Sequence, residues 1–351
     1  MSDETSREVV RVGIAGLGRS GWGIHVASLE ALPAAYRVVG VHDPNAERVA
    51  EAEARLGCRG YRDFSSLLRD DAVELVVVAV PSHLHADAAV QALRAGKHVL
   101  VEKPFAVDLA EADRMIAAAR ETGLVLTGSQ NYRYMADFLT IRETIASGKL
   151  GRVIQVRIAW HWFRRRWDWQ TLKAFGGGSL NNDGSHVVDQ ALLLLGDAQP
   201  EVFCRMERTG LSSGDAEDHV KVILRAPGAP LIDMEFSNAC AYPQDMWLVM
   251  GTNGTLVGSH AGLRWKYVDP RLLPARPVSE EPTPDRSYNR EELPWVEETI
   301  DLSKERHIDS NKRLYLDLHA TLREHRPLAV TPESIRRQLA VLERCRELSP
   351  V

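Results

Sequence analysis

The first 128 residues alternate apolar runs with amphipathic ones, a pattern typical of parallel strands joined by crossover helices. Strands are predicted at the β-branched apolar runs Val9–Ala15, Tyr36–His42, Val73–Val80, His98–Val101 and Leu124–Gly128. Helices are predicted between them at Gly21–Ala31, Pro44–Leu56, His83–Ala95 and Asp108–Thr122. The third strand is apolar throughout, as expected when both sheet faces are covered. The alternation predicts a doubly wound, Rossmann-type sheet.

After Gly151 the pattern changes to strands in succession, which favour a mostly antiparallel sheet. Strand candidates are Val153–Trp162, Glu201–Thr209, His219–Arg225, Leu231–Ser237, Met246–Met250 and Thr255–Val257. Helices are predicted after the glycine triplet 176–178 up to about Leu195, and at Asn311–Glu324 and Pro332–Glu347, with a surface excursion at Pro270–Pro294. We therefore predict an α/β protein with a Rossmann domain in residues 1–128 and an α+β substrate domain in 129–351. The last helices are candidates to pack back on the Rossmann domain.

Composition narrows the possible functions. The chain has 351 residues, 44% of them hydrophobic, and a net charge of −5, so it has no basic surface for nucleic acid or an anionic membrane. Met1–Val9 has no secretory pattern and no apolar run approaches ~18 residues, so a cytoplasmic location is expected. The four cysteines are widely spaced, which argues against a zinc site or a disulfide scaffold; no metal is predicted.

A glycine-rich turn follows the first predicted strand. Gly16, Gly18 and Gly21 fit the pattern G-x-G-x-x-G, with Arg19 and Ser20 inside it. A strand before it and a helix after it give the motif its weight. Gly16 permits a tight turn, Gly18 lets the backbone approach a pyrophosphate, and Gly21 allows the helix to pack closely on the strand. The free N–H groups of the helix then face the phosphates.

Asp43 ends the second predicted strand, 22 residues after Gly21. A carboxylate at this position accepts hydrogen bonds from the adenosine ribose hydroxyls and repels a 2′-phosphate. We therefore expect NAD to be preferred over NADP.

Several motifs spread over the chain together resemble the Gfo/Idh/MocA family of oxidoreductases, which includes glucose–fructose oxidoreductase and inositol dehydrogenase. They are the glycine loop, Val80–His85, Glu102-Lys103-Pro104, the glycine triplet with the helix through His186, and Arg326–Glu333. The resemblance implies an NAD-dependent dehydrogenase that acts on a sugar, an inositol or a sugar-like compound such as one of the aminoglycoside type. It also implies that the protein assembles as a homodimer or homotetramer.

Lys103 lies just past the carboxyl end of a predicted parallel strand, where doubly wound sheets bind ligands. A lysine there can be partly desolvated and its pKa lowered, and Glu102 is an available partner. The resemblance implies that Lys103 contacts both the cofactor and the substrate hydroxyl. It also places Pro81, Ser82 and His85 on the cofactor side, although Val80 and Ser82 depart from the family's usual residues.

His186 is the candidate general base, because imidazole titrates near neutrality. Asn182 lies four residues earlier and shares its helical face. The family usually has aspartate at the position of Asn182, whereas here an aspartate follows one residue later, at Asp183. All three residues are candidate substrate ligands, and the carboxylate–histidine pairing of the family is expected to differ.

Residues 160–169 hold four of the eight tryptophans together with three consecutive arginines. Trp167 is the candidate substrate contact, since aromatic faces stack on sugar rings. An oligomer interface is an alternative, because Trp and Arg are enriched there too. Nucleic-acid stacking is opposed by the acidic charge. Arg133, after the fifth strand, is a further candidate substrate ligand.

We predict hydride transfer between a secondary alcohol and the nicotinamide, with Lys103 and His186 handling the hydroxyl proton. Two alternatives remain open: a redox-neutral NAD-dependent glycosidase of the same family, and a non-catalytic NAD-binding regulator. The presence of both Lys103 and His186 weighs against the regulator.

Overall fold

The structure, a computed structural model, describes residues 8–281 and 286–351 and contains a parallel and a mostly antiparallel sheet. This confirms the predicted fold class. Most of Met1–Val9, where no leader is predicted, and part of the predicted Pro270–Pro294 excursion lie outside the described ranges. Within those ranges, no helix is both long and apolar enough to cross a lipid bilayer.

The parallel sheet has six strands in the described residues, in the order β3-β2-β1-β4-β5-β6. They are β1 (Val10–Ala15), β2 (Tyr36–His42), β3 (Arg59–Tyr61), β4 (Leu75–Val78), β5 (His98–Val101) and β6 (Leu126–Gly128). The reversal of strand order beside β1 opens a crevice at the carboxyl edge, where such sheets bind ligands. Strand β3 was missed by the sequence analysis because three residues carry no measurable alternation.

Helices cover both faces of this sheet. They are α1 (Gly21–Val26 continuing as Ala27–Glu30), α2 (Ala46–Leu56), α3 (Phe64–Leu68), α4 (His85–Arg94) and α5 (Leu109–Thr122). Side-chain caps fix several of their starts: Asp108 accepts the Glu111 N–H, and Asn45 accepts the N–H groups of Glu47 and Arg48. The short helix α3 was not predicted, because its five residues are too few for a helical period.

The second sheet has eight strands in the described residues, in the order β14-β13-β12-β11-β7-β10-β9-β8. They are β7 (Val153–His161), β8 (Glu201–Glu207), β9 (His219–Arg225), β10 (Leu231–Ser237), β11 (Trp247–Gly251), β12 (Gly254–Ser259), β13 (Gly262–Tyr267) and β14 (Val296–Asp301). Only the pairing of β7 with β10 is parallel among the pairs described.

Five further helices in the described part of the chain pack against this sheet or return to the first: α6 (Ala136–Ala146), α7 (Ser179–Asn182), α8 (Gly184–Leu195), α9 (His307–Glu324) and α10 (Pro332–Leu348). Helix α8 is buried along almost its whole length. Strands β13 and β14 and helix α6 were missed: β14, Val-Glu-Glu-Thr-Ile-Asp, is mostly exposed and has no apolar face for the pattern to report. Helix α9 begins four residues earlier than predicted.

The last two helices connect the cores of both halves. Tyr315 and Leu318 of α9 lie in one apolar cluster of the Rossmann half, and Ile335 and Leu339 of α10 lie in the other. Further along α10, Leu342 joins the core beneath the second sheet. These helices therefore hold the two sheets in a fixed relation.

Arg133, in the turn after β6, forms a buried ion pair with Asp189 of α8. Its Nη2 and Nε donate to the two carboxylate oxygens of Asp189 at 2.6 and 2.7 Å. The remaining donors reach the Ala329 carbonyl and the Ser334 hydroxyl. Arg133 is 6% exposed and its guanidinium is committed to these partners, so the prediction that it binds substrate does not fit this arrangement. Asp189 on α8 is instead the partner that the arginine needs.

Removing the guanidinium is expected to destabilise the fold. Arg133→Ala leaves the Asp189 carboxylate buried without its cation, which typically costs about 3–5 kcal/mol. Urea unfolding followed by circular dichroism should show this loss. Arg336→Ala is the matched control, because its ion pair with Asp113 is largely exposed and should contribute less than about 1 kcal/mol. Equal losses for the two variants would contradict the assignment.

Candidate active site

The glycine loop lies at the carboxyl edge of β1. Gly16 has φ +97, and a Cβ there would lie 2.4 Å from the Ala79 carbonyl oxygen. A Cβ on Gly21 would lie 1.9 Å from the Gly16 carbonyl oxygen, whereas a Cβ on Gly18 would meet no protein atom within 4 Å. Two glycines are thus required by the protein itself, and the third leaves space open beside the start of α1. That open cradle at a helix N-terminus fits a dinucleotide pyrophosphate.

Asp43 contacts the glycine loop directly. Its Oδ2 accepts from the Leu17 N–H at 2.7 Å, and its Oδ1 accepts from the Asn45 N–H at 2.8 Å. The Arg48 guanidinium lies 3.7 Å from the same carboxylate and is half exposed. The residue predicted to contact the ribose therefore also braces the loop, and it has a cation beside it.

Glu102 is turned inward rather than toward the crevice. Its Oε2 accepts from the Lys103 N–H at 2.8 Å, and its Oε1 lies 3.0 Å from Nε2 of His25. His25 Nδ1 lies 2.7 Å from the Tyr315 hydroxyl. Burial alone would raise the pKa of Glu102, but the His25 hydrogen bond and the charges of His25 and Lys103 hold it at about 2. The prediction that Glu102 binds the cofactor does not fit, because both oxygens fix the turn that carries Lys103.

His85 has a bracing role of the same kind. Its ring nitrogens lie 2.7 Å from the Pro104 carbonyl oxygen and 2.9 Å from the Val80 carbonyl oxygen. It is 1% exposed, and burial lowers its pKa. His85 thus ties the turn after Lys103 to the loop after β4, which does not fit the predicted cofactor contact. Pro81 and Ser82 lie in that loop and remain accessible.

Lys103 spans the two halves of the molecule. Its Nζ donates to the backbone carbonyl of Asn182 at 3.3 Å, across 79 residues of sequence. Burial lowers the pKa of the ammonium, while the charges of Glu102 and Asp183 offset part of that decrease. A partly buried lysine with a lowered pKa suits hydrogen bonding to an alcohol oxygen.

His186 is buried on α8 and stacks on Tyr132, with ring centroids 4.1 Å apart. Its Nδ1 has no hydrogen-bond partner among the described residues. Burial, reinforced by the charge of Lys103, lowers the pKa of His186 well below its ordinary value. The imidazole is therefore neutral near pH 7, the form that accepts a proton.

Asn182 and Asp183, the two residues before α8, have different polar partners. The Asn182 side chain donates to the Gln170 carbonyl at 3.4 Å. Asp183 Oδ2 lies 3.4 Å from Nη2 of Arg164. Burial raises the pKa of Asp183, and the charges of Arg164 and Lys103 oppose that rise. The carboxylate at position 183 therefore acts on Lys103 and Arg164.

Within the tryptophan–arginine segment, residues 160–169, Arg164 and Trp167 have different surroundings. Trp167 is 79% exposed, whereas Arg164 donates to the Asn238 side chain at 2.6 Å and lies 4.4 Å from the Trp162 ring centroid. The segment thus turns Arg164 toward Asp183 and leaves Trp167 on the surface. Substrate stacking on Trp167 stays a prediction.

Comparison with known proteins identifies the family. Residues 10–129 match the NAD-binding Rossmann-fold model of the Gfo/Idh/MocA oxidoreductases, and residues 138–257 match the model of their C-terminal domain. The chain belongs to the Gfo/Idh/MocA family. It is an oxidoreductase with an NAD-binding Rossmann domain, and the family acts on sugars and inositols.

Individual relatives agree with this assignment. An uncharacterized oxidoreductase of Schizosaccharomyces pombe is 31% identical over 258 residues, 71% of this chain and 70% of the relative. A scyllo-inositol 2-dehydrogenase (NADP(+)) of Bacillus subtilis is 31% identical over 195 residues, about half of each protein at 54% and 52%. Levoglucosan dehydrogenase, solved with NADH and levoglucosan, shares the fold with a TM-score of 0.80 at 20% identity, covering 97% of each chain.

Four ring side chains beside the candidate site were not named as site residues in the sequence analysis: Tyr132, Trp160, His260 and His307. The other three rings surround Tyr132, whose centroid lies 5.3 Å from Trp160, 6.1 Å from His260 and 5.4 Å from His307. They come from a turn, a strand, a hairpin and a helix start. Two carried a signal, since Tyr132 follows the carboxyl end of β6 and Trp160 begins the tryptophan–arginine segment 160–169. No metal-binding group of His, Cys, Asp or Glu occurs in the described residues.

Alanine substitutions in the glycine loop are expected to separate folding from cofactor binding. Gly18→Ala places a methyl group in protein-free space, so stability should change by less than about 0.5 kcal/mol while NAD binding weakens about tenfold or more. Gly21→Ala should lower the free energy of unfolding by about 1–3 kcal/mol, because its methyl group collides with backbone. Thermal unfolding and NAD titration measure the two effects. Normal NAD affinity in Gly18→Ala would show that the pyrophosphate lies elsewhere.

Proposed function

We propose that this protein transfers hydride between a ring secondary alcohol of a sugar or cyclitol and NAD, with Lys103 and His186 handling the hydroxyl proton. The observation that carries the proposal is the 3.3 Å contact from Lys103 Nζ to the carbonyl of Asn182, four residues before His186. It brings the edge of the Rossmann sheet to the start of the buried helix. When bound, the nicotinamide supplies the hydride acceptor.

The two side chains take complementary parts in alcohol oxidation. Neutral His186 accepts the hydroxyl proton as the carbon–hydrogen bond breaks, and the substrate becomes a ketone. Lys103 donates a hydrogen bond to the same oxygen, which stabilises the negative charge that develops there. In reduction the proton returns from His186 to the alkoxide oxygen. Burial of both groups strengthens these interactions, since water is excluded.

Asn182 alters this chemistry relative to the family's usual aspartate. An amide stabilises imidazolium far less than a carboxylate does. His186 is therefore a weaker base here, while Asp183 places the negative charge near Lys103. The relatives named for scyllo-inositol and levoglucosan support cyclic polyols as the first compounds to test.

A screen of inositols, anhydrosugars, sugars and aminocyclitol glycosides with NAD, monitored by NADH absorbance, tests the proposed function. Oxidation of a cyclic polyol supports it. Release of a chromogenic aglycone without net NADH would establish the glycosidase alternative instead. Failure across the whole panel, with NAD still bound, would favour a non-catalytic regulator. Homodimer or homotetramer assembly and a cytoplasmic location stay predictions.

We expect Lys103→Ala and His186→Ala each to lower kcat by about 10²–10⁴-fold, the usual effect of losing general acid–base catalysis. Because burial lowers the pKa of His186 well below its ordinary value, kcat/KM should fall on its account only at pH values well below the usual titration range of histidine. Steady-state kinetics over a pH series measures both. Lys304→Ala, on the exposed surface, is the control. Full activity in His186→Ala would require another base.

We also propose that Asp43 makes NAD the preferred cofactor. Asp43→Asn keeps an acceptor for the Leu17 N–H but removes the charge that repels a 2′-phosphate. NADP binding should therefore strengthen about tenfold relative to NAD, as measured by fluorescence titration of the reduced cofactors. Adding Arg48→Ala should cancel much of that gain, because Arg48 is the cation beside the carboxylate. Equal binding of NAD and NADP by the unaltered protein would refute this role for Asp43.

A further inference from the structure

A carboxylate–imidazole pair, separate from Lys103 and His186, borders the aromatic cluster of Tyr132, Trp160 and His307. His260 Nδ1 lies 2.8 Å from Oδ2 of Asp137. Asp137 is in the first turn of α6, and His260 is in the turn between β12 and β13. The two residues are 123 positions apart, so only the fold brings them together.

Asp137 is fully buried, with 0% of its side chain exposed. Its Oδ2 also accepts from the Trp247 indole at 2.7 Å, and the helix start offers a partial positive charge. Those two interactions account for a carboxylate in the first turn of the helix and for an anchored tryptophan. They do not explain an imidazole that reaches the same oxygen, and a buried carboxylate gains most from a partner that can carry charge.

The orientation of His260 follows from where its ring is accessible. The Nδ1 atom is buried against Asp137, whereas 39% of the side chain is exposed. The accessible part of the ring is therefore on the side away from the carboxylate. No hydrogen bond of acceptable geometry joins His260 Nδ1 to a described residue, so the 2.8 Å distance and the burial of the atom define the pair. A proton on Nδ1 removes repulsion between the lone pairs and leaves Nε2 as an acceptor.

Ring contacts place His260 beside the proposed reaction site. Its centroid lies 6.1 Å from Tyr132 and 6.2 Å from Trp160. Tyr132 in turn stacks on His186 at 4.1 Å. His186 and His260 therefore flank the same tyrosine ring from α8 and from the β12–β13 turn.

We propose that His260, oriented by Asp137, accepts a hydrogen bond from a substrate hydroxyl next to the reacting carbon, and so selects substrates that carry a neighbouring hydroxyl. This inference rests on the proposed function. An acceptor at Nε2 has a partner in a hydroxyl group and none in a deoxy position. A site that hydrogen-bonds a hydroxyl discriminates strongly against the analogue without it. His260 is thus a specificity residue, and Asp137 is a positioning residue that acts through it.

The tautomer of His260 tests the pair without any substrate. In ¹⁵N-histidine NMR, with the signal assigned by His260→Gln, we expect the proton on Nδ1 and an unprotonated Nε2. Asp137→Asn should shift the balance toward the other tautomer. A proton on Nε2 in the unaltered protein, or an unchanged signal in Asp137→Asn, would overturn the proposal. If Asp137→Asn does not fold, the tautomer of His260 in the unaltered protein still tests the proposal.

Kinetics with myo-inositol, scyllo-inositol, levoglucosan and their monodeoxy analogues test the contact with substrate. His260→Gln should raise KM about 3–10-fold, change kcat less than about threefold, and reduce the preference for the hydroxylated member of each pair. His325→Asn is the control: it removes an exposed imidazole at a helix end where asparagine also tolerates the left-handed φ of 57. Unchanged KM and preference would overturn the proposal. If the unaltered protein oxidises none of these compounds, that result counts against the proposed function for these substrates. The NMR measurement of the His260 tautomer then tests the Asp137–His260 pair separately.

Discussion

The buried guanidinium of Arg133 fixes the geometry on which the active site depends. It comes from the turn after the last strand of the parallel sheet and ends on Asp189, one helical turn beyond His186. Since α8 is bound through this pair to the turn that follows β6, His186 and Asn182 are held near Lys103. An arginine suits this task because its planar donors reach a carboxylate, a carbonyl and a hydroxyl at once.

Polar side chains around Lys103 support the backbone turn that carries it and do not line the candidate site. Glu102 and His85, which the sequence suggested as cofactor contacts, hold the two sides of the same turn from within. Their burial leaves Lys103 as the group that reaches out of the turn. Rigid support of this kind is what places a reactive side chain reproducibly, since its own rotamers would otherwise spread.

The sequence predicted the elements whose residues repeat with a clear period, among them the long apolar strands. It also pointed to residues that sit in motifs, the glycine loop, Lys103 and His186, whose functions stay proposals. It missed β3 because that strand is too short, and β14 because Glu298 interrupts the face that carries Val296 and Ile300. The aromatic cluster could not be found, because His260 and His307 meet Tyr132 only after distant segments have packed. Arg133 was misassigned for the same reason: its partner lies 56 residues further along the chain.

The contact between Asp43 and the Leu17 N–H couples two properties that are usually treated as separate. The carboxylate proposed to face the ribose is also the acceptor that shapes the phosphate loop. A lineage changing its cofactor would thus have to lose the charge at this position without losing the acceptor. Few residue types meet both demands, so the loop, and not only the ribose contact, limits how such a protein can evolve.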